Sequence, residues 1–326
     1  MVLLKVYLSF DVVNAHCLDV SNYPNHLKFF LMNDLHVPTF FIISFYFFHK
    51  SLISRNTDKL KQRFQRLLIP YIVWPIIIFV INNIFFYVFK IQLYNSFNDL
   101  QKQLLTGHCF ILPLWFQWDL IFVTFLFVII ELLLHKYMII ILIIIEILSY
   151  FLQYSNYNYN FCNCLMYDHR FTFGRLMEIL PFSISGFVIA YFELISILKK
   201  RRTTTVIFCI IIFCLSYKYN LIIEPLGFRY QGVKIHIQSL CLFIFFSIIS
   251  IDFLSHIIKK IIKQISSLSP GIYFLHYPLK RLFNIIFISV KNNTIYGSIF
   301  IYIMSYLICY IGNKFLMKTK LRNLFQ

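Results

Sequence analysis

Apolar residues run down this chain in long uninterrupted blocks separated by short polar breaks. Ten such blocks fall near residues 2–18, 34–49, 68–89, 113–134, 137–153, 176–195, 204–217, 235–252, 269–289 and 295–313. They are too long and continuous for the period-two alternation of a membrane β-barrel, and most approach the roughly 20 residues that a helix needs to cross a bilayer. The pattern predicts an all-α fold, a polytopic transmembrane helical bundle of about ten spans. The seventh block is short and the eighth is interrupted by polar residues, so nine or eleven spans stay open. The longest stretch between blocks, Lys90 to Leu112, has 23 residues and leaves no room for a separate soluble domain. Residues 1–326 therefore read as one integral membrane domain.

Composition agrees with the pattern. Of 326 residues, 60% are hydrophobic and only 13% charged, about half the charged share of soluble domains, and 39 Phe with 22 Tyr exclude low-complexity disorder. A net charge of +17 raises the question of nucleic acid, but the Lys and Arg lie in small clusters between apolar blocks rather than on one face of a domain. Topology explains them better and no nucleic-acid partner is expected. With a cytoplasmic amino terminus, the inner segments hold eighteen basic residues, Lys50 to Arg66 and Lys199 to Arg202 prominent among them, and the outer segments nine. That bias predicts both termini inside. No internal repeat is visible, which weakens a transporter built from inverted halves.

Other signals are quieter. The eight Cys are scattered singly through apolar blocks as small hydrophobes, and the pair Cys162-x-Cys164 lacks the second pair of a zinc site, so no metal and no bound cofactor are expected. His26, His36 and His108 have no ligand spacing. Met1 opens directly on the first apolar run, with neither a basic flank nor a small-residue cleavage site. Outer segments rich in Asn and Tyr, such as Ser155 to Asn160, suit either a carbohydrate-facing surface or ordinary solvated loops.

The first block carries the most unusual chemistry. Lys5, Asp11 and His16 are ionisable groups inside an apolar run, where such residues are costly and face a protein interior or a wet cavity. Lys5 and His16 are eleven positions apart, three turns plus about 20°, so they share one helical face with roughly 16 Å between them along the axis. A snorkelling Lys and a structural His fit the same pattern. Asp11 lies off this stripe, so a carboxylate orienting His16 would come from another helix, with Asp119 the best placed. Glu131, Glu146, Glu178 and Glu193 are further carboxylates in the spans, those near span ends expected to reach the interface.

Lys5-x10-His16 resembles the Arg-x10-His pattern in the first helix of the acyltransferase-3 family, integral membrane enzymes that acylate cell-surface sugars. Further similarities follow in the family's order. His36-Val-Pro-Thr-Phe-Phe-Ile-Ile-Ser44 is similar to its second helix. Arg63-Phe-Gln-Arg66-Leu-Leu-Ile-Pro70 resembles the basic run that opens the third. Pro113-Leu-Trp-Phe-Gln-Trp118, Leu180-Pro-Phe-Ser-Ile-Ser-Gly186 and Gly271-Ile-Tyr-Phe-Leu-His-Tyr-Pro278 resemble later segments, so the resemblance spans nearly the whole chain. Departures are Lys5 where the family has Arg, Phe45 where Gly follows the Ser, and Phe64 and Leu67 where some members carry further Arg. The short amino terminus fits a chain that begins inside the first helix of a longer ancestor.

The resemblance implies an acyltransferase, most often an O-acetyltransferase, that moves an acyl group from cytoplasmic acyl-CoA (acetyl-CoA) to a hydroxyl of a surface polysaccharide or lipid-linked glycan. It implies a multi-pass protein among the lipids of a bacterial cytoplasmic (inner) membrane. His16 would be the catalytic residue, either as the base that takes the hydroxyl proton or as a covalent acyl relay. Lys5, Arg63 and Arg66 would hold the donor's phosphates, although Arg63 and Arg66 also fit simple inner-loop topology. Ser44, Trp115, Asp119, Tyr273 and His276 are possible lining residues. His276 suits a structural hydrogen bond, and Trp115 and Trp118 suit a membrane interface equally well. Competing readings are a polytopic transporter or glycan flippase, in which the buried Lys and His form a substrate or proton path, and a catalytically inactive acyltransferase relative.

Overall fold

Apolar blocks with good helix formers and few internal glycines fold into helices throughout, and no strand occurs among the described residues. The computed structural model describes residues 1–18, 35–89, 97–106, 114–159, 172–218, 232–252, 254–286, 295–316 and 319. The helices are α1 (Val2–Cys17), α2 (His36–Ile53), α3 (Thr57–Phe89), α4 (Phe97–Thr106), α5 (Trp115–Leu134) and α6 (Met138–Tyr159). After these come α7 (Thr172–Tyr191), α8 (Leu194–Lys200), α9 (Arg202–Lys218), α10 (Val233–Ile248), α11 (His256–Ile286) and α12 (Ile295–Phe315). Every expected block contains a helix. His26, His108, Cys162 and Cys164 lie outside the described residues.

Two helices start well before their apolar blocks, α3 at Thr57 and α11 at His256, each by roughly three turns or more. Their leading turns are amphipathic rather than apolar, with Lys59, Lys61 and Arg63 in one and Lys259, Lys260 and Lys263 in the other. Periodicity, not mean hydropathy, carries the helix there. Among the described residues three helical stretches, Thr57–Ile81, Trp115–Gln153 and Ile295–Phe315, are long and apolar enough to cross a membrane by length and composition. A fourth is added if Gly174–Tyr191 and Leu194–Lys200, bent by 64°, form one span. The bend sits at Glu193, whose φ of 50° lies in the left-handed region. Helices such as α1 and α10, at 16 residues each, cover only about 24 Å.

The described chain falls into two compact units, each assembled from separated segments. The first comprises Met1, residues 34–61 and 119–253; the second comprises residues 2–33, 62–118 and 254–326. In the first unit α7 packs along α2, with α6 beside α7, α10 beside α2 and α9 beside α10. Its core is aromatic: Phe41, Phe45, Phe127, Phe182, Phe187 and Phe243 are fully buried. Phe45, where the resembled family has Gly, packs against Phe127 with ring centroids 4.7 Å apart and the rings tilted by 45°. Close approach is concentrated at Gly186 instead, where a Cβ would meet the backbone oxygen of Ile42 at 2.3 Å. In the second unit α1 lies along α11, and α12 packs on both. Leu4, Leu8, Ile272 and Phe274 are buried there.

Prolines inside these helices remove an N–H and orphan the carbonyl four residues earlier, a costly state away from water. Side chains answer two of the breaks. Pro181 frees the carbonyl of Met177, which accepts from Gln153 Nε2 at 2.6 Å. Pro270 frees the carbonyl of Ser266, which accepts from Ser269 Oγ at 3.1 Å. Glu131 and Glu178, expected to reach the interface, are buried. Glu131 does so because Arg55 and His135 both donate to its Oε1.

Candidate active site

The second unit gathers Lys5, His16, Arg63, Arg66, Trp115, Tyr273 and His276; Ser44 and Asp119 belong to the first. Lys5 and His16 lie on one unbroken helix, so the shared face read from their spacing is kept. Both are half-buried. On α11, Tyr273, His276, Tyr277, Lys280 and Arg281 recur at the three- and four-residue intervals that place side chains on one helical stripe. This stripe meets α1. The imidazoles of His16 and His276 stand 5.1 Å apart between centroids, and Tyr277 packs edge-on to His16 at 6.0 Å.

The end of α1 is pinned by a residue the sequence had not singled out. Lys280 Nζ donates to the backbone oxygen of His16, a cation at a helix carboxy terminus, where the last carbonyls lack partners and the dipole favours positive charge. Lys280 therefore fixes the turn that carries His16. Its sequence signal was a lysine four residues after His276 inside an apolar block. His276 is fully buried, and its Nδ1 lies 3.3 Å from the carbonyl oxygen of Ile272. A proton on Nδ1 is donated there, which makes Nε2 the basic nitrogen. Aromatic rings complete the surroundings: Tyr273 lies 5.9 Å from His276 and 5.2 Å from Phe116, and Trp74 stacks on Phe274 at 6.4 Å.

At the other end of the α1 stripe, Lys5 and Arg66 are close enough for their charges to interact. Arg63 and Arg66 are one turn apart on α3, Arg63 half-buried and Arg66 exposed. Nearby, Gln117 Nε2 donates to the carbonyl of Leu67 at 2.9 Å and ties the start of α5 to α3. Like charges within electrostatic reach of each other repel, and an anion between them relieves the repulsion, so this end suits a phosphate. Trp115 is half-buried against Phe116 at 6.3 Å. Among the described residues no three His, Cys, Asp or Glu converge as metal ligands.

In the first unit, Asp119 takes a different role from the one its sequence position suggested. Both its oxygens accept from Arg175, Oδ2 from Nε at 3.2 Å and Oδ1 from Nη2 at 3.1 Å, in a buried bidentate pair. Its carboxylate is thus engaged by an Arg rather than offered to a His. Ser44 is half-buried on α2.

The acyltransferase domain of the acyltransferase-3 family matches residues 3–314. The chain belongs to that family. No curated protein and no solved structure matches it. Family membership and the long apolar helices make this a membrane acyltransferase in general terms. Two segments by which the sequence resembles the family, around His16 and around His276, are the two whose imidazoles meet in the second unit.

Proposed function

We propose that this protein transfers an acyl group, acetyl in the first instance, from cytoplasmic acyl-CoA to a hydroxyl of a surface or envelope polysaccharide, in the cytoplasmic membrane of a bacterium. The observation that carries the reading is the His16–His276 imidazole pair, formed by segments some 260 residues apart. A sugar hydroxyl is a weak nucleophile until a base removes its proton, and imidazole is the side chain whose ordinary pKa is nearest neutrality. His16 takes that proton as the hydroxyl oxygen attacks the thioester carbonyl. The C–O bond forms, the C–S bond breaks, and the proton passes to the departing thiolate. In this reading the Lys5–Arg66 grouping, with Arg63, holds the donor's phosphates. The chain threads about ten times with both termini cytoplasmic, the shorter helices being spans that depend on their neighbours.

The test is mass spectrometry of envelope glycans from cells with and without the gene, together with acetyl-CoA labelled in its acyl group. Loss of one acyl mass on deletion, and label appearing in the glycan on restoration, is the expected result. Unchanged glycans in both strains would refute the acceptor, and an external carboxy-terminal reporter at Gln326 would refute the threading.

A further inference from the structure

A second histidine-centred cluster lies in the first unit, among residues that the proposed transfer does not use. His236 on α10 is buried. Its Nε2 lies 2.8 Å from Ser185 Oγ on α7, and its Nδ1 is in hydrogen-bond contact with the hydroxyl of Tyr150 on α6. The Tyr150 ring stacks on the imidazole at 5.8 Å, and Phe182 packs against it at 5.0 Å. Glu146, one turn before Tyr150, has Oε1 3.3 Å from Ser185 Oγ. Three helices thus hold a hydroxyl, a base within hydrogen-bond reach of it, and a third group that orients the base. This is the arrangement that activates a serine nucleophile.

The single Ser185 proton can be given to only one acceptor, and the shorter contact is His236 Nε2. Tyr150 then accepts from Nδ1–H and fixes that tautomer. Glu146 provides a carboxyl beside the charge that His236 acquires on taking the proton. On α6, at 100° per residue, Glu146 and Tyr150 fall between the buried stripe of Leu142, Ser149 and Gln153 and the exposed apolar stripe of Ile143, Ile147 and Phe151. Ser185, Glu146 and Tyr150 are half-buried. The cluster therefore borders an apolar outer surface, which suits an acyl chain better than a charged donor.

We propose that Ser185 is an acyl-accepting nucleophile for lipophilic esters, with His236 as its base and Tyr150 as the residue that positions His236. In the step, Ser185 Oγ bonds to the ester carbonyl carbon and the ester C–O bond breaks. The serine proton moves to His236 Nε2 and then to the departing alkoxide. Water or a hydroxyl then attacks the serine ester, breaks its C–Oγ bond and returns a proton to Ser185.

The inference stands apart from the role of His16, and a covalent probe tests it. The full chain in detergent is treated with a long-chain alkyl fluorophosphonate, which forms a phosphonyl–Oγ bond on activated serines with loss of fluoride. The expected result is one adduct per chain, mapped by peptide mass spectrometry to Ser185, with labelling slowed about 10²-fold or more in His236→Gln and unaltered in His16→Ala. A wild-type protein that keeps its thermal unfolding transition and takes no label at Ser185 overturns the proposal. So does a folded His236→Gln protein that labels at the wild-type rate. Because the adduct is mapped on wild type, the outcome does not depend on whether Ser185→Ala folds.

Discussion

The two units differ in how they balance charge. Over the first unit's segments the sequence carries fourteen Lys and Arg against ten Asp and Glu; over the second's it carries sixteen against three. In the first unit buried charges find internal partners: Arg175 with Asp119, Arg55 and His135 with Glu131. In the second the conspicuous polar groups are cations and imidazoles, from Lys5 and Arg66 through His16 and His276 to Lys280 and Arg281. A membrane protein tolerates paired buried charge as structure, whereas an excess of one sign marks where a ligand of the other sign belongs. The contrast fits scaffolding by the first unit's ion pairs and the proposed donor binding in the second unit. On the proposed threading the Lys259 to Lys263 cluster faces inward and adds a topological share to the excess.

The largest expected effect tests the chemical half of that contrast. His16→Gln keeps part of the hydrogen-bonding capacity but cannot carry the proton, so acyl transfer should fall by about 10²- to 10⁴-fold. Expression and the thermal transition in detergent should stay close to wild type. Transfer is read with labelled acetyl-CoA and the purified acceptor glycan. Wild-type turnover in this variant would move the catalytic assignment to His276. A variant that no longer folds would make His16 a structural residue.

Part of this arrangement could be read before any coordinates. The helices and the shared face of Lys5 and His16 follow from spacing along the chain, and the family segments follow from their resemblance to the acyltransferase-3 motifs. What spacing could not supply is which distant segments meet. Lys280 lies 264 positions from the carbonyl it caps, and nothing in a local pattern selects it. Asp119 reads from the sequence as a carboxylate that could orient His16, and nothing local points to Arg175, 56 positions away, as its partner. The leading turns of α3 and α11 escaped a reading based on apolar runs because their helical signal is amphipathic. Ser185 enters only as an inner position of the Leu180–Gly186 segment and His236 not at all, since a hydroxyl and an imidazole some fifty residues apart carry no spacing signal.

The next effect in size breaks the scaffolding half. Removing one member of a buried ion pair leaves the other uncompensated, typically at a cost of about 3–5 kcal/mol. Asp119→Asn should therefore lower the thermal transition sharply. The double variant Asp119→Leu with Arg175→Met should recover most of it, because an apolar pair of similar volume is often neutral or better. Glu178 lies within electrostatic reach of both residues, and a mild loss in Asp119→Asn would show that it takes over the guanidinium. Equal destabilisation in the single and double variants would contradict a purely structural pair.

A smaller effect should come from the donor side. Replacing Arg63 and Arg66 by Gln removes two charge-assisted contacts which, at one half-buried and one exposed position, are together worth roughly 1.5–3 kcal/mol. The KM for acetyl-CoA should rise at least about tenfold, with little change in KM for the glycan and a modest change in kcat. Proper insertion is checked by the terminal reporter, because loss of two charges that the proposed threading puts inside also perturbs topology. Unchanged donor kinetics in a correctly inserted protein would return both residues to topology alone and leave the second unit's charge excess without a ligand.

The smallest effect is the most discriminating for the charge contrast, because it changes the shape of a cation and not its sign. Lys5 stands where the family carries Arg. Guanidinium presents a fixed fork of donors to phosphate, whereas ammonium is a point charge on a flexible stem. If Lys5 and Arg66 share an anion, Lys5→Arg should keep turnover and lower the KM for acetyl-CoA by a few-fold. Lys5→Met should act oppositely, raising that KM while relieving repulsion from Arg66 and lifting the thermal transition of the unliganded protein slightly. Added acetyl-CoA should then stabilise wild type and Lys5→Arg more than Lys5→Met, since a ligand that binds the folded state stabilises in proportion to its occupancy. A folded Lys5→Arg protein without activity would contradict the match to the family's first helix, and equal stabilisation of all three would remove the anion from between Lys5 and Arg66.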